Sequence, residues 1–371
     1  MKRILYIFLV FSLLINCKPA EVISDCENAN LTFLVNENYL EGDNYDYDAL
    51  ILNEGGYTYG NASISAWNIN GVHDQNVFKA INNYDIGDIL QSGYKTESEI
   101  YLIVNNSQKI EVLDINNLKR KRTITGFTSP RYMTTINNIA LVTDLYANKI
   151  NVFNTETNCE YSSIEMQGWT EQIFNINDRI YVIERSEVGS SSKFANIVEI
   201  ELSTNLETVV FSIVKRTNIS IEPNSVVVDG FNNIWILSTG NEVDNIYPSL
   251  TKFSTNTNTI EKTRNYTSFT DFPKVLCSNN NLTDVNLFYS NGQKIYSLAE
   301  NSSRSDFNTT ELFTHTAQNL YKLSYVPANQ TFLLCDAKDY ISEGAVLSYS
   351  FTGYLIESFT AGVIPGFIVY K

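Results

Sequence analysis

Ile100-Tyr101-Leu102-Ile103-Val104 is an unbroken apolar run that ends in Asn105-Asn106, and the chain repeats it. Ile139-Ala140-Leu141-Val142-Thr143, Ile180-Tyr181-Val182-Ile183-Glu184 and Ile234-Trp235-Ile236-Leu237-Ser238 are copies. So are Ala49-Leu50-Ile51-Leu52-Asn53, Leu287-Phe288-Tyr289-Ser290-Asn291 and Phe332-Leu333-Leu334-Cys335-Asp336. Short apolar runs with no polar alternation suit strands buried on both faces. Recurrence at intervals of roughly 40–55 residues is the spacing of propeller blades.

Each copy sits second in a unit of four strands, a to d. An alternating strand c follows at 109–113, 149–153, 197–202 and 346–351, and a more polar strand d at 120–124, 208–214 and 355–360. A short strand a precedes at 131–136, 171–176, 225–228, 274–277 and 320–326. The first unit has b at 49–53, c at 62–69 and d at 77–81, but a polar segment stands where a belongs. A spare run, Ile364-Pro365-Gly366-Phe367-Ile368-Val369-Tyr370, follows the seventh unit. Pairing it with the first unit removes the open sheet edges of an incomplete ring. The chain therefore reads as all-β, a seven-bladed β-propeller over 48–371 whose C-terminal strand completes blade one. Two stacked sandwiches are the alternative, and seven copies of one unit argue against them.

Lys2 and Arg3 precede an apolar run from Ile4 to Ile15 that ends at Leu14-Ile15-Asn16-Cys17. A run of about 12 residues is a signal-peptide length, too short for a comfortable membrane span. Residues 1–16 read as a lipoprotein signal with Cys17 as the lipidated residue, although Asn16 replaces the usual small residue. An ordinary secretory signal or an uncleaved anchor is the other reading. Residues 17–47 are polar and acidic and read as a tether with one strand near 31–35. The formal charge is −15, or −17 without Lys2 and Arg3. So acidic a chain with no basic block is not built for nucleic acid, and it meets a membrane through its lipid alone. Cys277 and Cys335 lie in apolar runs as buried thiols, while Cys26 and Cys159 lie in polar loops and are able to pair.

Few residues suit catalysis. His73 and His315 are the two histidines, neither beside a nucleophile signature, and there is no phosphate loop or HExxH. Asp43-Asn44-Tyr45-Asp46-Tyr47-Asp48 lacks the glycine and glutamate of a calcium loop and reads as solvated tether. No metal site or cofactor is assigned.

In a propeller the b–c and d–a loops gather at one end of the central channel, the default ligand face. Blade one brings Asn53, Glu54, Tyr57 and Tyr59 there; blade two brings Asn105 and Asn106. Blades three and four bring Arg131, Tyr132, Asp144, Tyr146, Trp169, Glu171 and Arg185. The remaining blades bring Asn224, Asn241, Phe272, Tyr321, Asp336 and Tyr340. The ligand-binding candidates are Tyr57, Tyr59, Asn105, Arg131, Asp144, Tyr146, Trp169, Glu171, Arg185, Asn224 and Tyr340. The set is rich in aromatics and amides and carries few charges, which suits a large polar-rimmed ligand or a carbohydrate.

Leu50-Ile51-Leu52-Asn53-Glu54-Gly55-Gly56, Gly60-Asn61-Ala62-Ser63-Ile64-Ser65 and Gly87-Asp88-Ile89-Leu90-Gln91-Ser92 carry a resemblance. So do Val104-Asn105-Asn106-Ser107-Gln108-Lys109-Ile110-Glu111-Val112, Ser129-Pro130-Arg131-Tyr132-Met133 and Val142-Thr143-Asp144-Leu145-Tyr146. Together they resemble the YncE-like, surface-layer-type propeller lipoproteins of Bacteroidetes, a group that includes cobalamin-capturing surface lipoproteins. The likeness is dense over 49–155 and weakens beyond about residue 240 to the general blade pattern. It implies an outer-membrane, cell-surface location and capture of a corrinoid for a TonB-dependent transporter. Arg131, Asp144 and Tyr146 match the pattern and also fall on the ligand face. Two other functions stay open: adhesion or scaffolding through a protein or glycan, and a lactonase-like enzyme in which Glu171 and Asn224 hold a divalent ion.

Overall fold

A computed structural model describes residues 30–71, 73–161, 163–204, 209–279, 285–300 and 307–371. The expected signal segment 1–16, Cys17 and Cys26 lie outside the described residues. Among those described, no helix is long and apolar enough to cross a membrane.

Seven antiparallel sheets form a seven-bladed propeller. The seven b strands match the apolar copies: Ala49–Asn53, Glu99–Val104, Ile139–Asp144, Arg179–Arg185, Asn233–Ser238, Val285–Asn291 and Thr331–Asp336. Their central residues are apolar because both faces are covered. In blade one Leu50 and Leu52 pack toward blade two, while Ala49 and Ile51 pack toward blade seven. Seven apolar clusters, one in each gap between neighbouring blades, make up the core. Burial fades outward, and the strand d Val209–Asn218 alternates between half-buried and exposed positions.

The ring closes through the C-terminal strand. Pro365–Tyr370 pairs with Ala49–Asn53, register Tyr370 to Ala49 and Phe367 to Leu52, and supplies strand a of blade one. The final cluster of the ring unites Ile51 and Trp67 of blade one with Leu333, Cys335 and Val346 of blade seven.

Blade one corrects one expectation. Residues 77–81 are not strand d but lie in an α-helix, Val77–Asn82. Val77 and Phe78 are buried in the gap to blade two, and Asn76 and Asn83, both left-handed, isolate the turn. The Asn82 amide donates to Phe78 O and Leu118 O, both at 3.1 Å, tying the helix to the neighbouring blade. Strand d is only His73–Asp74, and His73 stacks on Phe359.

The segment read as tether is described from residue 30. There Thr32–Val35 adds a fifth, outermost strand to blade two. Leu31 is buried beside blade three, and its N–H donates to Glu160 Oε2 at 2.8 Å. Gly126 lets this segment pass, since a Cβ there would fall 2.1 Å from Asn30 O. Cys159 is disulfide-bonded, whereas Cys277 and Cys335 are free and buried.

Candidate functional site

The innermost strands of all seven blades surround a cavity of about 1080 Å3 along the ring axis. At the end bearing the b–c and d–a loops, charged side chains from several blades converge. Glu171, the third residue of strand a in blade four, lies between two guanidiniums. Arg131 of blade three meets its Oε2 at 2.9 Å, and Arg185, the last residue of strand b in blade four, meets Oε1 at 3.3 Å. Arg185 extends to Glu222 at 3.8 Å, and Arg131 also donates to Gln91 Oε1. Charges this close, in a partly dewatered channel, hold one another far better than at an exposed surface.

Glu54 completes the cluster from blade one. Its carboxylate accepts the Tyr321 hydroxyl at 3.1 Å. Burial pushes the carboxyl up to about 7, against the opposing pull of Tyr321 and Arg131. Tyr132, whose hydroxyl accepts the Gln172 amide at 3.4 Å, is pushed up to about 12 by burial.

Aromatic side chains rim this mouth. Trp169 carries the Arg185 guanidinium over its face at 4.9 Å, and Tyr146 stands edge-on to Trp169 at 5.3 Å. Tyr340 is edge-on to Tyr321 at 6.0 Å. Tyr57 and Tyr59, on the b–c loop of blade one, project into solvent.

Arg131, Glu171 and Arg185 thus meet at one point, Trp169 and Tyr146 flank them, and Asn224 lines the cavity with an amide that donates to Lys274 O at 3.3 Å. Two other candidates serve the loops. Asp144 is fully buried, and its carboxylate accepts the backbone N–H groups of Thr128 and Ser129 at 2.8 and 2.6 Å. Asn105 donates to Ser129 Oγ and Pro130 O, fixing the same d–a loop. Asp336 repeats the device in blade seven on Gln318 and Asn319.

No protein-family model matches the chain, and no curated protein does. Solved structures do match. A quinoprotein alcohol dehydrogenase-like protein of Bacteroides thetaiotaomicron is 11% identical with a TM-score of 0.61, over 89% of this chain and 79% of that one. A protein from Lactobacillus plantarum is 10% identical with a TM-score of 0.62, over 88% of this chain and all of that one. A 6-phosphogluconolactonase-like protein of Bacteroides uniformis is 13% identical with a TM-score of 0.61, with the same coverage. At this identity the likeness shows the fold alone.

The charge of the site exceeds the sequence expectation. Glu54, Tyr132 and Tyr321 belong to the loops named there, but Gln91, Glu222, Lys274 and Lys322 also line the cavity. Their signal was position on strand a or just before it, which every blade shares. Glu171 is not placed to hold a divalent ion with Asn224, since both of its oxygens are engaged by arginine.

Proposed function

We propose that the protein is a non-enzymatic ligand-binding propeller, lipid-anchored at the outer membrane through Cys17, that seats its ligand at this channel mouth. The observation that carries the reading is the convergence of Glu54, Arg131, Glu171, Arg185 and Tyr321 on one large cavity rimmed by exposed aromatics. Fixed polar groups confer orientation and selectivity, and aromatic faces supply contact area at low entropic cost. No nucleophile–base pair is part of the cluster, and Glu54, whose carboxyl pKa burial raises, is hydrogen-bonded to a tyrosine.

The most specific version is capture of a corrinoid for a TonB-dependent transporter, and the resemblance over 49–155 supports it. The test is titration of the purified protein with cyanocobalamin in a calorimeter. The expected Kd is about 10 μM or tighter, with a loss of about tenfold, near 1.4 kcal/mol, in Glu171→Gln. No binding at that concentration removes the corrinoid.

A second reading, adhesion or scaffolding, is favoured by apolar residues on the same loops. Val243 is 93% exposed and Ile341 81% exposed, more than a small ligand in the channel would require. Glycan-array or pull-down binding with no small-molecule signal would select it.

A further inference from the structure

The channel runs opposite in charge to the molecule around it. The chain carries −15, yet the cavity is lined by Arg131, Arg185, Lys274 and Lys322 against Glu54, Glu171 and Glu222. Glu171 and Glu222 lie on the arginine side, while Glu54 of blade one reaches toward blade seven. Glu171 holds both guanidiniums, Glu222 is 3.8 Å from Arg185, and Glu54 accepts from Tyr321. The lysines, on blades six and seven, have no ion pair and no hydrogen bond from the ammonium among the described residues.

Each lysine instead has an aromatic face. Lys274 Nζ lies 3.2 Å from the Phe272 ring centroid, and Lys322 Nζ lies 5.4 Å from that of Phe367. A ring attracts an ammonium but does not neutralise it. Burial lowers the pKa of both amines, and the nearby Asp271 carboxylate offsets this only in part for Lys274. The missing countercharge falls to whatever occupies the channel. On the blade-four wall, Gln172 Oε1 and Asn175 Oδ1 are buried acceptors without a donor among the described residues. They suit hydroxyl or amide groups on the rest of the occupant.

We propose that the blade-six and blade-seven wall of the channel is a subsite for an anionic group, a carboxylate or phosphate, on a hydroxyl- or amide-bearing ligand, with Lys274 and Lys322 as its partners. This rests on the ligand-binding reading and names the chemistry that one half of the site selects. The lysines recognise, while the arginine–glutamate cluster across the channel is already neutralised and orients.

The test uses the whole protein and inorganic phosphate as probe. Acetylation of each lysine is followed by mass spectrometry, with phosphate or with chloride at equal ionic strength. Phosphate should slow Lys274 and Lys322 by about tenfold, the effect of a one-unit rise in amine pKa, and leave the exposed Lys79 unchanged. Equal slowing of all three, or of none, overturns the subsite. Calorimetric phosphate binding should vanish in the Lys274→Met, Lys322→Met double variant and return in the double arginine variant. Retention of binding in the methionine variant overturns the subsite too. Cyanocobalamin binding without phosphate protection refutes the subsite and leaves the ligand-binding reading standing. Phosphate protection without cyanocobalamin binding upholds the subsite and rejects the corrinoid.

Discussion

Glu54 links the closure of the ring to its site. It follows strand b of blade one, and its N–H donates to Ile364 O at 2.8 Å beside the closing strand. Its carboxylate uses space left by Gly366, where a Cβ would fall 2.6 Å from Oε1. Its folded pKa of about 7 lies above the ordinary 4.5, raised by burial. Between those values the folded protein keeps a proton that the unfolded chain releases. Its contribution is therefore complete below about pH 4.5 and is lost as pH rises through about 7. The loss is at most roughly 3 kcal/mol. Glu54→Gln cannot ionise, so its urea midpoint should stay level where the wild type falls between pH 5 and pH 8. An undiminished fall in the variant would show that other groups cause the slope. Legibility at this scale depended on direction. Being at a strand end was visible for Asp144 and for Glu171 alike. Nothing local showed that Asp144 turns back onto Thr128 and Ser129 while Glu171 faces the channel between arginines from two blades.

At the level of elements, what was legible followed burial. The b strands could be read because apolar residues on both faces leave no alternation to confuse with a helix. Residues 77–81 failed because a mostly apolar run of that length fits a strand or one helical turn equally well. Tertiary anchoring by Asn82 and the flanking left-handed Asn76 and Asn83 decided for the turn. The closing strand was legible by counting, since one unit lacked strand a and one strand was spare. Removing residues 363–371 strips that strand from Ala49–Asn53 and exposes the gap between blades seven and one. Burial of Ile368 and Val369 alone is worth roughly 4 kcal/mol, against a total stability of about 5–15 kcal/mol for a typical domain. The truncated chain should be insoluble or lack a cooperative urea transition, whereas loss of Lys371 alone should leave the midpoint nearly unchanged. Full cooperativity after the longer deletion would mean that blade one holds without its inner strand.

For the whole molecule, seven like gaps make the ring indifferent to where its chain begins. Tyr370 pairs with Ala49, and the Lys371 N–H donates to Asp48 O at 2.9 Å, so strands a and b of blade one already lie as a hairpin with its turn cut. Blade four shows that turn intact, with Asn177 and Asp178 at φ of 53° and 61° between its inner strands. Left-handed backbone at both central positions is the geometry that Asn-Gly adopts most readily. A circular permutant joining Tyr370 to Ala49 through Asn-Gly, with new termini at Gly189, tests the idea. Gly189 lies on the b–c loop of blade four at φ 84°, with open space around it. Because this fusion omits residues 1–48 and Lys371, its reference is the linear chain 49–370. Moving the break exchanges one long closure for another of nearly equal length, so the entropic cost barely changes. The permutant should unfold in one urea transition within about 1 kcal/mol of that reference. It should also keep the Glu54–Tyr321 contact, read as the same fall in stability between pH 5 and pH 8. A permutant several kcal/mol weaker would show that blade one closes through a geometry peculiar to free ends, not through the pairing that the other six blades use.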